Sequence, residues 1–258
     1  MIEIQGLSFA YPGRSKVFEG FSLVVEDGEA WSIVGPSGCG KTTFLYLLAG
    51  LLKPTSGMIL IGGNPVLRPR PRTGLVLQDH GLLPWATVEE NAMLGWVIRG
   101  FYGPDGKHSP TDAGVDRDAA LEKVNGWLKR LRIDQFRDKY PSHLSKGQRQ
   151  RAAIARTLSL EPDLLLMDEP FSALDAVIRE DLHRTMLGHQ QESGITSIVV
   201  THDIEEALLM GRKILVLSSG CNRSARVLEN PIGSRQEQTG LPDFHERLEE
   251  LRRMLEES

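Results

Sequence analysis

The sequence predicts an α/β fold. A mostly parallel sheet flanked by helices is expected, with an N-terminal antiparallel β subdomain and an inserted helical subdomain. Three observations carry this. Short, mostly apolar runs stand at 31–34, 164–167 and 197–201, the pattern of strands buried on both faces. Helical patterns alternate with them, as in sheets covered by helices. The first 34 residues instead hold several short β-branched or aromatic segments.

Taken in order, 2–5, 7–11 and 21–26 read as strands, and Asp27-Gly28 makes a turn. Residues 31–34 form a further strand that ends in a glycine-rich loop, and 43–52 follow as an apolar helix. Strands at 58–61 and 73–77 are separated by a Gly- and Pro-rich loop. Helices are expected at 87–97 and 116–131, with 100–114 between them a loop by composition. A small-residue helix over 149–160 runs into the strand 164–167. Then come a helix at 178–191, a strand at 197–201, a helix at 204–210 and a strand at 214–217.

The strands 31–34, 73–77, 164–167 and 197–201 are expected at the centre of the sheet. Residues 219–241 read as loop. Residues 243–257 read as a charged helix with Phe244, Leu248, Leu251 and Leu255 on one face, able to pack on this chain or on another. The expected division is a main domain over 1–218, its helical subdomain at about 84–160, and a C-terminal extension over 219–258.

Composition narrows the function. The 258 residues are 40% hydrophobic and 25% charged, which is ordinary for a globular chain with a core. The net charge is −4, and no concentrated basic surface is evident, so no nucleic-acid partner is expected. The run Arg68-Pro69-Arg70-Pro71-Arg72 reads as a solvated loop. No apolar run approaches the ~18 residues that span a bilayer. Met1-Ile2-Glu3-Ile4 enters a strand pattern directly, so no signal peptide is expected. Work at a membrane would therefore go through another chain. Cys39 and Cys221 make neither a metal-ligand spacing nor a disulfide framework, which fits a reducing cytoplasm.

Gly35-Pro36-Ser37-Gly38-Cys39-Gly40-Lys41-Thr42 fits the phosphate-loop pattern G-x-x-x-x-G-K-[ST]. Its glycines let the backbone curl so that N–H groups face phosphate oxygens. The helix that follows, beginning about Thr43, adds its positive N-terminal end. Lys41 is expected to reach the β- and γ-phosphates, and the Thr42 hydroxyl to hold Mg²⁺. The loop leaves a strand and enters a helix, as this mechanism demands.

A second constellation closes the strand 164–167, where Asp168 and Glu169 follow an apolar run. Two carboxylates there are costly unless used or paired. Phosphoryl transfer to water needs a metal held against the phosphates and a group that orients or deprotonates the water. Asp168 fits the first role and Glu169 the second.

Leu144-Ser145-Lys146-Gly147-Gln148 stands about twenty residues before that acidic pair. It resembles the LSGGQ signature motif of ATP-binding cassette (ABC) proteins, with Lys146 where the family usually has Gly. Other landmarks follow in family order. Gln78 ends the strand 73–77 as the family's Q-loop glutamine does; Ser172-Ala173-Leu174-Asp175 looks like the D-loop; His202 ends the strand 197–201 like the switch histidine; Tyr11 sits where these proteins stack an aromatic ring on adenine. The resemblance covers roughly residues 1–218.

The resemblance implies a P-loop NTPase core, ATP as substrate and Mg²⁺ as cofactor. It implies that two copies pair head to tail, with each ATP between one copy's phosphate loop and the other's signature motif. Ser145, Gly147 and Gln148 then face the partner's γ-phosphate, and Asp175 belongs to the same nucleotide-facing set. Gln78 is implied both in catalysis and in the Mg²⁺ shell, and His202 in catalysis. Lys146 is expected in solvent.

Gly81-Leu82-Leu83-Pro84-Trp85-Ala86-Thr87-Val88-Glu89-Glu90-Asn91 looks like the segment after the Q-loop in importers of nitrate, sulfonates and taurine. In such systems this lobe receives a short helix from the transmembrane permease, and an extracytoplasmic solute-binding protein acts indirectly through it. An exposed Leu-Leu-Pro-Trp cluster suits a helix-in-groove contact. The implied location is peripheral, on the cytoplasmic face of the membrane. The alternative is a cassette ATPase of repair, translation or assembly. Those usually show tandem cassettes, long coiled coils or zinc-ligand cysteines, which this sequence lacks.

Overall fold

In the computed structural model, which describes residues 1–102, 116–172, 174–231, 233 and 242–256, the chain divides into two compact units. The first comprises Met1–Pro69, Leu166–Glu169 and Leu187–Ser258, and the second Arg70–Leu165 and Pro170–Met186. Most of the long loop expected at 100–114, Ala173 of the D-loop-like segment and residues 234–241 lie outside the described residues.

The first unit opens on an antiparallel sheet. Its strands β1 (Ile2–Ala10), β2 (Lys16–Val25), β4 (Ser56–Ile61) and β5 (Asn64–Pro65) run in the order β2-β1-β4-β5. Ile2, Ile4, Leu7 and Phe9 of β1 are buried. The two strands expected at 2–5 and 7–11 are one strand. Its register shifts between Ile4 and Leu7, where Gly6 takes φ 58°, a bulge that only glycine enters without steric cost.

The other sheet of the fold runs in the order β10-β9-β3-β8-β7-β6. Here β3 (Ala30–Val34) pairs in parallel with β8 (Thr196–Val200) and β9 (Lys213–Val216). Every residue of β3, β8 and β7 (Leu164–Asp168) is buried, as their apolar sequences demand. Strand β7 carries the chain from the second unit into the first.

Two expectations are corrected. The strand expected at 73–77, β6 (Thr73–Val76), ends the sheet order instead of lying at its centre, and β9 takes an interior place. Hydrophobicity reports burial, and a helix packed over a sheet edge buries it too. Residues 219–241 also contain a strand, β10 (Arg226–Glu229), antiparallel to β9. Only Leu228 of its four residues is buried, too short a pattern to read as strand.

Helix α1 (Lys41–Leu48) is shorter than the expected 43–52 at its C-terminal end. Gly50, at φ 73°, donates its N–H to Leu47, and Leu51 donates to Tyr46, a left-handed glycine stop. The C-terminal helix α7 (Pro242–Glu256) packs on its own chain. Phe244, Leu248 and Leu251 are buried with Ala207 and Leu208 of α6 (Ile204–Met210), with Val216 and with Leu228. Each such side chain gains about 1.5–3 kcal/mol of hydrophobic free energy, offset in part by ordering entropy.

The second unit holds α2 (Val88–Tyr102), α3 (Arg117–Arg130), α4 (Lys146–Leu158) and the first part of α5 (Ala176–Ser193). Asp116 caps α3 by accepting from Asp118 and Ala119 N–H groups. Ala152, Ala153 and Ala155 are fully buried, and their small side chains let α2 and α3 approach α4 closely. The buried Arg151 of α4 donates to the Leu131 carbonyl at the end of α3, 2.9 Å away. It also pairs with Asp181 of α5 at 3.1 Å. One guanidinium thus ties three helices together.

Candidate functional site

The glycine-rich loop leaves β3 at Val34 and turns into α1 through left-handed Gly38 (φ 81°) and Gly40 (φ 106°). A Cβ on Gly40 would collide with the Val17 side chain, so glycine is needed for space as well as for φ. Beneath the loop, Phe18 and Phe21 of β2 and Phe44 of α1 form an aromatic cluster with ring centroids 5.4–5.8 Å apart. This packing fixes the start of α1 against the antiparallel sheet.

Lys41 is buried, and its ammonium donates to the carbonyls of Gly35 (2.7 Å) and Pro36 (3.0 Å). The charge is held inside the loop by groups that phosphate oxygens can replace. Cys39 lies beneath the loop, and burial pushes its thiol up from the ordinary cysteine range. Ser37, Gly38 and Thr42 are exposed.

Asp168, the last residue of β7, is only 3% exposed. Burial pushes its carboxyl up, and a hydrogen bond from the Thr42 side chain opposes that rise. Glu169 then takes φ 46°, a left-handed conformation that costs a non-glycine residue on the order of 1–3 kcal/mol. Its N–H donates to the Val200 carbonyl at 2.8 Å, which anchors the turn to β8. The turn aims its carboxylate at His202, whose Nδ1 lies 3.2 Å from Oε2. His202 is itself exposed, just beyond β8.

These groups meet at a cleft of 470 Å³ within the first unit, a volume in the range of small-molecule sites. Tyr11, Ser37, Gly38, Gly40, Lys41, Thr42, Thr43 and Glu169 line it. Tyr11 is placed by its hydroxyl, 3.1 Å from that of Thr43, and by an edge-on contact with Phe9. Gly35, Pro36 and Cys39 form the back of the loop. Arg14, Ser15 and Val17 also line the cleft and were not singled out in the sequence. Their signal was position, in the turn after Tyr11 and at the start of β2.

The remaining candidates belong to the second unit. Ser145 caps α4 in a reciprocal box: its hydroxyl accepts from the Gln148 N–H (3.2 Å), and the Gln148 side-chain oxygen accepts from the Ser145 N–H (2.9 Å). This cap starts α4 at Lys146, ahead of the expected 149. Gly147 is buried against Leu174 and Ile178, while Lys146 is exposed, as expected. Asp175 accepts from the Ile178 N–H at 3.1 Å and so caps α5. Gln78 lies just past β6 and is exposed.

In the same unit the loop before α2 is organised by Asn91. Its fully buried carboxamide accepts from the Leu83 N–H and donates to the carbonyls of Leu83, Ala86 and Thr87. Leu82 and Leu83 are half-buried, and Trp85 stands 73% exposed. Among the described residues no helix is long and apolar enough to cross a membrane.

Comparison with known proteins gives the family and agrees with the fold. The family model for ABC transporters matches residues 18–172. The taurine import ATP-binding protein of Escherichia coli (strain K12) is 39% identical over 229 residues, 89% of this chain and 83% of that protein. The aliphatic sulfonates import ATP-binding protein of Bacillus anthracis is 35% identical over 230 residues, 89% of this chain and 85% of that protein. Among solved structures, a dimeric ATP-binding cassette in a post-hydrolysis state bound to ADP and Pi matches with TM-score 0.72 and 30% identity, over 89% of this chain and 98% of that one. A cassette from Clostridium perfringens that is part of an ABC transporter complex matches with TM-score 0.74 and 29% identity, over 89% and 88%.

Proposed function

The chain belongs to the ABC transporter family and is an ATPase, and from that premise we propose that it energises an importer of taurine or a related sulfonate. Small oxyanions such as nitrate fall in the same proposed cargo class. The observation that carries the catalytic reading is the juxtaposition at one cleft of Lys41, the Thr42–Asp168 pair and the Glu169–His202 pair.

The proposed chemistry follows from these residues. Tyr11 offers a ring face for the adenine base. Backbone N–H groups of residues 35–43 and the start of α1 receive the phosphates. Lys41 exchanges its Gly35 and Pro36 carbonyl partners for phosphate oxygens. The hydroxyl of Thr42 and the carboxylate of Asp168 lie together, and as hard oxygen ligands they fit Mg²⁺. The resemblance adds Gln78 to that set. A Mg²⁺ ion held there would neutralise charge on the phosphates.

Glu169 orients the attacking water and accepts its proton. The water oxygen bonds to the γ-phosphorus as the bond to the β-phosphate oxygen breaks. His202 holds the Glu169 carboxylate in place through Nδ1. In the proposed head-to-tail dimer, Ser145, Gly147 and Gln148 of one copy contact the γ-phosphate held by the other, at the N-terminus of α4. Asp175 belongs to the same nucleotide-facing surface.

We assign residues 1–218 to the ATPase domain, with its helical part at about 84–160, and residues 219–258 to an extension. The proposed location is peripheral, on the cytoplasmic face of the membrane, against permease subunits that a solute-binding protein serves from outside. The Leu82, Leu83 and Trp85 surface offers the permease an apolar contact.

The test is steady-state MgATP hydrolysis by the purified chain as its concentration is raised, with Glu169→Gln as control. Specific activity that rises with concentration and vanishes in the variant is expected. Turnover equal in wild type and variant would remove Glu169 from its role, and activity flat with concentration in a protein that sizes as a monomer with ATP would remove the shared site.

A further inference from the structure

Asn222 is 5% exposed and lies past the end of β9, far in sequence from the phosphate loop. Its side-chain amide nevertheless donates to the Cys39 carbonyl inside that loop at 3.0 Å, and more weakly to the Val17 carbonyl at 3.3 Å. Its side-chain oxygen accepts from the Ser218 N–H at 2.9 Å. The orientation of the carboxamide follows from its partners, since rotating it would set its oxygen against two carbonyls. The backbone joins in: the Asn222 N–H donates to the Val17 carbonyl (2.9 Å), and the Asn222 carbonyl accepts from the Glu19 N–H (3.0 Å).

Both walls that Asn222 touches belong to the nucleotide cleft. Cys39 is part of the curled phosphate loop, and Val17 lines the cleft from β2. Gly40 is packed so closely on Val17 that no side chain fits between them. The gap between loop and strand is therefore set on one side by this contact and on the other by the Asn222 carboxamide.

We infer that Asn222 is a positioning residue for ATP binding, which holds the Cys39 carbonyl and the β2 wall at a fixed separation and so keeps the loop preorganised for phosphate. It acts through the loop and touches no substrate. The inference rests on the reading that this cleft binds ATP. Without the carboxamide, the Cys39 carbonyl and the Ser218 N–H lose a buried partner, and the loop relaxes towards other ones. Nucleotide then has to reorder it, which weakens binding. Chemistry at saturation is unchanged, because the groups around the γ-phosphate are intact once the loop is occupied.

The experiment measures ATP and ADP dissociation constants and steady-state hydrolysis for wild type, Asn222→Ala, Asn222→Asp, Arg223→Ala and Lys41→Ala. Asn222→Asp keeps the acceptor for Ser218 but loses the donor to Cys39. Arg223→Ala cuts only the neighbouring exposed pair with Glu19. Both Asn222 variants are expected to raise the Kd for ATP and ADP about tenfold, with KM rising in step and kcat within about twofold of wild type. Arg223→Ala should bind as wild type does.

Unchanged Kd in the Asn222 variants, with a lowered Tm alone, would make Asn222 a plain anchor of the C-terminal segment and overturn the inference. Equal loss in Arg223→Ala would overturn it too, because docking of the segment would then be the cause. Hydrogen exchange in the wild type serves should the variants fail to fold. Saturating ADP should slow exchange at the Ser218 and Asn222 amides, and no slowing there would count against the inference. Failure of the wild type to bind ATP, or Lys41→Ala binding as tightly as wild type, would instead sink the functional reading on which it rests.

Discussion

Glu169 Oε2 lies 3.2 Å from His202 Nδ1, and the left-handed turn at Glu169 is what brings them together. Asp168, one residue earlier, stays at the buried strand end with Thr42. Two adjacent carboxylates thus have different surroundings, one beside the phosphate loop's hydroxyl and one facing a histidine. Strain on the order of 1–3 kcal/mol at Glu169 persists because β8 holds its N–H and His202 faces its carboxylate.

Glu169→Gln should bind ATP with wild-type affinity and lose at least about a hundredfold in turnover, the low end for removing a general base. Nucleotide titration and phosphate release, measured on one preparation, check this. The same variant should size as a dimer with ATP and as a smaller species without it.

Lys41→Ala should weaken ATP binding at least tenfold, roughly what a buried charge-assisted contact to phosphate provides. Direct titration separates this from a catalytic loss. Binding unchanged in the variant would remove the phosphate-loop assignment.

Arg151→Ala should cost about 2–4 kcal/mol of stability, since it leaves the Leu131 carbonyl and Asp181 short of a partner in the second unit. Arg132→Ala, which removes the more exposed pair with the same Asp181, should cost about 1 kcal/mol or less. Chemical denaturation of the two variants gives the comparison. Equal losses would mean that the Arg151 link contributes no more than a surface pair.

Cys39 should resist alkylation at neutral pH while Cys221 reacts. Burial both shields the Cys39 thiol and raises its pKa, and only the thiolate is a good nucleophile. Mass spectrometry after a timed iodoacetamide pulse tells the two sites apart. Rapid labelling of Cys39 in the nucleotide-free protein would mean that the loop opens more readily than its packing implies.

Much of the fold and site was legible because it follows from local chemistry. Gly38, Gly40 and Lys41 stood out because a backbone that cradles phosphate needs those residues at that spacing. The α4 start was written in Ser145 and Gln148 as a capping pair, whereas the small-residue pattern of the helix begins only three residues after Lys146. The C-terminal helix was visible from Phe244, Leu248 and Leu251. Its partner was not, since an apolar face does not say which surface it covers.

The sequence by itself determined the alternation of buried strands with helices, the phosphate loop, the acidic pair and the family, because these depend on residues close together in the chain. Tertiary structure decided the place of β6 at the end of the sheet order and the existence of β10, whose pairing lies in β9 rather than in its own four residues. It decided that Glu169 turns left-handed towards His202. It also decided that Asn222 reaches back to Cys39, for a hydrogen bond across 183 positions leaves no periodicity or motif in the chain that makes it.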